Sequence, residues 1–212
     1  MKTVYVVGGS GFARECYQML LWTAEQNPEI RFGGFVGHNG YKDFEPLIHL
    51  VVGDLGEMEF KEDDYAVIGA GYPELRKKIH DDLKAKGVKL FNLIPPGVFM
   101  TEFVEIGEGN IFAASCTPSV HSKIGNGNVF NGDVVVGHDA VIGDFNFFGG
   151  KSHILGNVRI GNMNTVGTGS IILPNAKIGD NNKIAPLSAV YKGCKNNGYY
   201  IGNPALRVGD AR

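Results

Sequence analysis

From residue 106 onward the chain places an apolar residue on every sixth position. The series runs Phe112, Ile124, Phe130, Val136, Ile142, Phe148, Ile154, Ile160, Val166, Ile172, Ile178, Ile184 and Val190, and only Pro118 breaks it. Superimposed on it, Ile-Gly recurs at 106, 124, 142, 160 and 178, a constant spacing of eighteen. An α-helix, with a period of about 3.6 residues, cannot hold this phase, and neither can a simple hairpin. A fixed short period predicts a solenoid, in which each repeat buries its apolar residue against its neighbours. Six residues per side and eighteen per coil describe a three-sided parallel β-helix. The glycine after each apolar residue, with Asn or Asp near it, is expected to allow the tight corner. Runs such as Gly125-Asn126-Gly127-Asn128 then read as corners rather than as disorder.

The first ninety or so residues follow another pattern. Lys2–Val7 predicts a strand and Gly8-Gly9-Ser10-Gly11 a turn. A helix follows with Phe12, Cys16, Met19 and Leu20 on one stripe. Ile30–Val36 and Tyr65–Gly69 predict two more strands. A helix carrying Leu75, Ile79 and Leu83 comes next, stopped by Gly87, and Val88–Leu93 reads as a fourth strand. Strands alternating with helices imply a small α/β domain with a Rossmann-like parallel sheet. Pro95-Pro96-Gly97 is the natural break, giving an α/β domain over 1–94 and a β-helix with a C-terminal tail over 95–212.

Composition narrows the function classes. The 212 residues carry a formal charge of −2, which offers no electrostatic case for nucleic acid. The apolar runs are too short to span a bilayer, and the start lacks the long apolar region of a signal peptide, so a cytoplasmic protein is expected. Cys16, Cys116 and Cys194 match neither a zinc spacing nor a disulfide framework.

Two features carry candidate chemistry. A strand, a glycine turn and a helix start form a phosphate-binding geometry, with free N–H groups and the positive end of the helix dipole facing one spot. A full dinucleotide site is not expected. Arg14 stands where a third glycine belongs, Gly37-His38 stand where an acid should end the second strand, and the domain is short. The turn reads as a cradle for the phosphates of a nucleotide-linked substrate, or else as a tight turn with no ligand. The second feature is His138. Asp139 follows it and can orient the imidazole. Gly156 stands one full coil later in the same column, about 5 Å away along the axis. A general base beside a bare backbone N–H suits acyl transfer, because the N–H stabilises the oxyanion on a thioester carbon. The plainer reading is a surface corner residue. A three-histidine zinc site from His121, His138 and His153 is a third option, but the three fall in different columns.

These residues resemble a known family. Val-Val-Gly-Gly-Ser-Gly-Phe-Ala-Arg (6–14), Leu75–Ile79, Phe91–Pro95, Gly137-His138-Asp139-Ala140-Val141-Ile142-Gly143, Gly156-Asn157-Val158 and Ile201-Gly202-Asn203-Pro204-Ala205 look like the NeuD/PglD-like bacterial sugar acyltransferases. That family is a branch of the hexapeptide-repeat acyltransferases with a left-handed parallel β-helix, and the resemblance covers nearly the whole chain. It implies an acetyl-CoA-dependent N- or O-acetyltransferase acting on a nucleotide-linked sugar in surface-glycan or glycoprotein biosynthesis, by direct transfer and without a metal. It implies His138 as general base, Asp139 as its support and Asn131 as a substrate-holding residue. It implies Gly156 as donor to the acetyl carbonyl, and Thr168, Ala185 and Pro186 along the coenzyme A groove. Gly9, Ser10, Gly11, Phe12 and Gly71 fall where the family cradles the nucleotide. It further implies a homotrimer with each site between two neighbours. The chain departs from the family pattern at Phe12, Gly37-His38, Pro95, Phe147 and Pro186. Those departures suggest an altered acceptor, and they keep open a non-catalytic trimeric solenoid that binds a nucleotide or sugar.

Overall fold

The computed structural model describes residues 1–38 and 47–211, which divide into two compact units, Met1–Pro96 and Gly97–Arg212. In the first unit, strands β1 (Lys2–Val7), β2 (Ile30–Gly37), β3 (Val51–Asp54), β4 (Asp64–Ile68) and β5 (Lys89–Leu90) form one sheet in the order β3-β2-β1-β4-β5. Every pairing in it is parallel. Helix α1 (Gly11–Gln26) joins β1 to β2 and α2 (Pro73–Ala85) joins β4 to β5. Val7, Val36, Ala66 and Ile68 pack against Ile79 and Leu83 of α2. Ala13, Cys16 and Leu20 form the buried stripe of α1.

Several expectations for this unit need correction. Strand β3 has no counterpart in the sequence reading, because Val51-Val52-Gly53-Asp54 is too short, and too broken by glycine, to show alternation. The last strand shrinks from Val88–Leu93 to Lys89–Leu90. On α2 the buried positions are Pro73, Arg76, Ile79 and Leu83, while Leu75 is 41% exposed. Arginine was passed over as a core residue because its charge normally keeps it in water.

The second unit is a three-sided, left-handed parallel β-helix of two-residue strands. Face 1 stacks Ile111–Phe112, Val129–Phe130, Phe147–Phe148, Thr165–Val166 and Lys183–Ile184. Face 2 stacks Thr117–Pro118, Val135–Val136, His153–Ile154, Ile171–Ile172 and Ala189–Val190. Face 3 stacks Glu105–Ile106, Lys123–Ile124, Val141–Ile142, Arg159–Ile160, Lys177–Ile178 and Gly193–Cys194. Partners lie eighteen residues apart until the last coil, where Lys183 pairs with Tyr199 and two residues are lost. A hairpin, Gly198–Ile201 against Leu206–Asp210, closes face 1. The predicted inward column is buried throughout, and Pro118 keeps its place in it. Inside face 1 the rings of Phe112, Phe130 and Phe148 stack at 4.6 and 4.8 Å.

The corners differ from expectation. The left-handed backbone falls three residues before each inward residue, at Ser115, His121, Asp133, Asp139, Phe145, Lys151 and Asn157 among others, and most of these are not glycine. The glycines of Ile-Gly serve close approach instead. A Cβ on Gly125 would lie 2.8 Å from the Gly143 carbonyl oxygen and would collide with the Asp144 carboxylate. The residue after each left-handed corner forms a second buried column that the six-residue count missed. At the corner between faces 3 and 1 this column is Asn110, Asn128, Asn146, Asn164 and Asn182, all buried. In the first four, Oδ1 accepts the backbone N–H and the side-chain amide of the next asparagine at 2.8–3.1 Å, and Asn182 Oδ1 accepts the Gly198 N–H at 2.9 Å. A second ladder at the same corner runs through Asn126, Asp144, Asn162 and Asp180, each accepting the backbone N–H of the coil before. Alternating Asn with Asp keeps the carboxylates two coils apart.

Candidate active site

The corner between faces 2 and 3 lacks such ladders. Its outer column is Val120, His138, Gly156 and Pro174. The Gly156 N–H donates to no other described residue, whereas the equivalent N–H groups at 126, 144 and 162 are capped by amide or carboxylate oxygens. The coils are held here by their backbones, with the Asn157 N–H donating to the His138 carbonyl at 2.9 Å. Asp139 takes the left-handed corner (φ 58°), a conformation that aspartate tolerates better than most residues. That bend turns its carboxylate back on its neighbour, and His138 Nδ1 donates to Asp139 Oδ2 at 2.7 Å. With Nδ1 holding the ring proton, Nε2 carries the lone pair. Nε2 lies against Gly156. Both side chains are about half exposed, at 56% and 50%, so the pair stands open on the outside of the prism.

The remaining residues expected in the solenoid site cluster elsewhere. Asn131, Thr168, Ala185 and Pro186 lie at the corner between faces 1 and 2, at the other end of the face 2 strands from His138. Asn131 is held there through its backbone, its N–H donating to Phe148 and its carbonyl accepting from Cys116 Sγ at 3.1 Å. One chain therefore brings His138, Asp139 and Gly156 together but not these four. His121 stacks on Phe103 one coil below Asp139, and His153 projects from face 2. Among the described residues no group of three or more His, Cys, Asp or Glu could hold a metal.

In the N-terminal unit the strand order reverses between β1 and β4, and α/β sheets bind ligands at the carboxyl ends of such strands. Gly8 and Gly69 meet there. A Cβ on Gly8 (φ 123°) would lie 3.0 Å from the Gly69 carbonyl oxygen, and one on Gly69 would lie 2.6 Å from Ala13 Cβ. Gly9, Ser10, Gly11 and Phe12 form the turn and the start of α1, whose first N–H groups have no helical partner. Ser10 Oγ donates to the Gly69 carbonyl at 3.3 Å, tying the turn to the end of β4. Gly71 lies on the facing loop, and Arg76 holds that loop. Its guanidinium is fully buried and donates to the Ala70 and Gly71 carbonyls at 2.9 and 2.8 Å. Burial lowers the Arg76 pKa to about 10, and the cost of a buried cation is met by these bonds. Arg76 lies inside the Leu75–Ile79 motif and is not among the site residues expected from sequence. The signal available was an arginine three residues before Ile79 and seven before Leu83, on the same helical face as both. At the end of β2, His38 pairs with Asp82 of α2 at 3.0 Å.

Residues 157–192 match the family described as the bacterial transferase hexapeptide (six repeats). These coils are hexapeptide repeats. Among solved structures, the chain is similar to a mutant of perosamine N-acetyltransferase from Caulobacter crescentus in complex with CoA and GDP-perosamine. The identity is 24%, the match covers 99% of this chain and 98% of that one, and the TM-score is 0.88. It is also similar to the acetyltransferase domain of PglB from Neisseria gonorrhoeae, with 21% identity, 98% and 100% coverage and a TM-score of 0.87. A third similar structure is WeeI from Acinetobacter baumannii, with 23% identity, 98% and 100% coverage and a TM-score of 0.84. At these identities the likeness is one of fold, over both units. No protein of curated function matches the chain by sequence.

Proposed function

We propose that the protein is an acetyl-CoA-dependent sugar acetyltransferase acting on an amino or hydroxyl group of a nucleotide-linked sugar. The observation that carries this reading is His138 Nε2 lying against Gly156, whose N–H has no partner among the described residues, with Asp139 holding the far side of the ring. His138 takes the proton of the acceptor nitrogen or oxygen as it attacks the thioester carbon. The Gly156 N–H holds the oxygen that becomes negative. Asp139 stabilises the imidazolium so formed, which returns its proton to the departing thiolate. No bond to the enzyme is made. The whole-length likeness to structures described with CoA and GDP-perosamine supports the substrate classes. The glycine turn and the Arg76-held loop are the proposed nucleotide cradle.

The open position of His138, and the separation of Asn131, Thr168, Ala185 and Pro186 from it, favour a site completed by a second copy. A homotrimer in the cytoplasm is the form we propose. Replacing His138 with Ala should lower kcat by about 10²–10⁴-fold, measured as CoA release with a panel of nucleotide amino sugars. A variant that keeps most of its activity rules out the base role. A second reading, a solenoid that binds a nucleotide or sugar without turning it over, draws on the His38–Asp82 pair that stands in place of an acid at the end of β2. Calorimetry with acetyl-CoA separates the two, since that reading predicts no binding.

A further inference from the structure

Gly156 lacks a side chain for a reason the backbone does not supply. Its φ is outside the left-handed region, so an L-residue could adopt its conformation. Its column does not demand glycine either, since Val120 and Pro174 occupy equivalent positions. What fills the space is the imidazole one coil below. A Cβ on Gly156 would lie 2.5 Å from His138 Nε2, 2.8 Å from Cε1 and 3.1 Å from Cδ2. Beneath it Gly137 plays a matching part, because a Cβ there would lie 2.6 Å from the Gly156 nitrogen.

We infer that Gly156 is a positioning residue for the histidine. The missing side chain is the seat of the imidazole, and it fixes the distance between the base and the Gly156 N–H. Asp139 grips the ring at Nδ1, and the seat stops it at Nε2, so the ring is held from both ends. This rests on the acyl-transfer reading for its consequence, but the seat itself is a steric claim about the folded chain. A methyl group at 156 leaves the N–H in place and displaces only the ring. A misplacement on the order of 1 Å can cost about 10²-fold in rate.

The test compares the wild type, Gly156→Ala, His138→Ala and the double variant. Gly156→Ala should lower kcat by on the order of 10²-fold, while KM for acetyl-CoA stays near that of the wild type. In the His138→Ala background the same alanine should cost nothing further in kcat or in melting temperature, because nothing remains to collide with it. A near-normal kcat for Gly156→Ala overturns the inference, and so does a loss carried undiminished into the His138→Ala background. If Gly156→Ala alone fails to fold, folding of the double variant supports the seat and its failure refutes it. Should the wild type show no acyl transfer, the functional reading falls by itself, and the melting comparison still decides the seat.

Discussion

Replacing Asn146 with Ala measures what the buried asparagine ladder contributes. The side chain has no exposure, and its Oδ1 accepts both the Asn164 N–H at 2.9 Å and the Asn164 side-chain amide at 3.0 Å. Its own amide donates to Asn128 Oδ1 at 3.0 Å and to the Gly161 carbonyl at 2.9 Å. Truncation orphans two buried donors on the coil above. At about 1–3 kcal/mol for each unsatisfied group, the loss is roughly 2–6 kcal/mol. For a chain of this size that lowers the melting temperature by on the order of 10 °C. Asn162→Ala is the control. Asn162 belongs to the outer ladder, where its Oδ1 accepts the Asp144 N–H at 2.7 Å, and water can replace that bond. Its loss should stay near 1 kcal/mol. Urea unfolding followed by circular dichroism, at one protein concentration throughout, gives both values. Equal losses, or a loss below about 1 kcal/mol for Asn146→Ala, would refute the claim that the inner ladder holds this corner.

Other outcomes follow from the same structure. Ser152→Ala should leave stability unchanged or raise it by up to about 1 kcal/mol, because the buried Ser152 hydroxyl has no partner among the described residues; a clear fall in melting temperature contradicts this. Arg76→Leu should weaken nucleotide binding, seen by calorimetry, by releasing the Ala70–Gly71 loop while acetyl-CoA affinity holds; unchanged nucleotide affinity counts against the cradle. The thiols of Cys16, Cys116 and Cys194 are buried and should resist a thiol reagent at pH 8 until denaturant is added; rapid labelling of the native protein contradicts their burial. Burial raises Cys116 from 9.0 to about 11 and Cys194 to about 12. Their folded values lie above the unfolded one, so their contribution is intact below about pH 9 and lost as pH climbs toward 11–12, which urea midpoints across that range would show. Dialysis against a chelator should leave acetyl transfer unchanged, and a loss restored by zinc would revive the metal reading.

The eighteen-residue spacing was enough to specify the solenoid, its three faces and the register that sets His138 beneath Gly156. A period-six pattern has one way to bury its apolar residues, and backbone pairing between coils then forces residues eighteen apart into contact. The pattern did not reveal the second buried column, because Asn, Ser and Cys are not apolar and a count of hydrophobic positions passes over them. The asparagines can be buried because their amides bond one another and the backbone, in place of water. Nor could spacing separate a capped corner from an open one. The eighteen-residue count treats all three corners alike, yet one is pinned by two ladders, while at another the Gly156 N–H has no partner among the described residues. That difference depends on where each side-chain oxygen points, which is settled by the coil stacked above it.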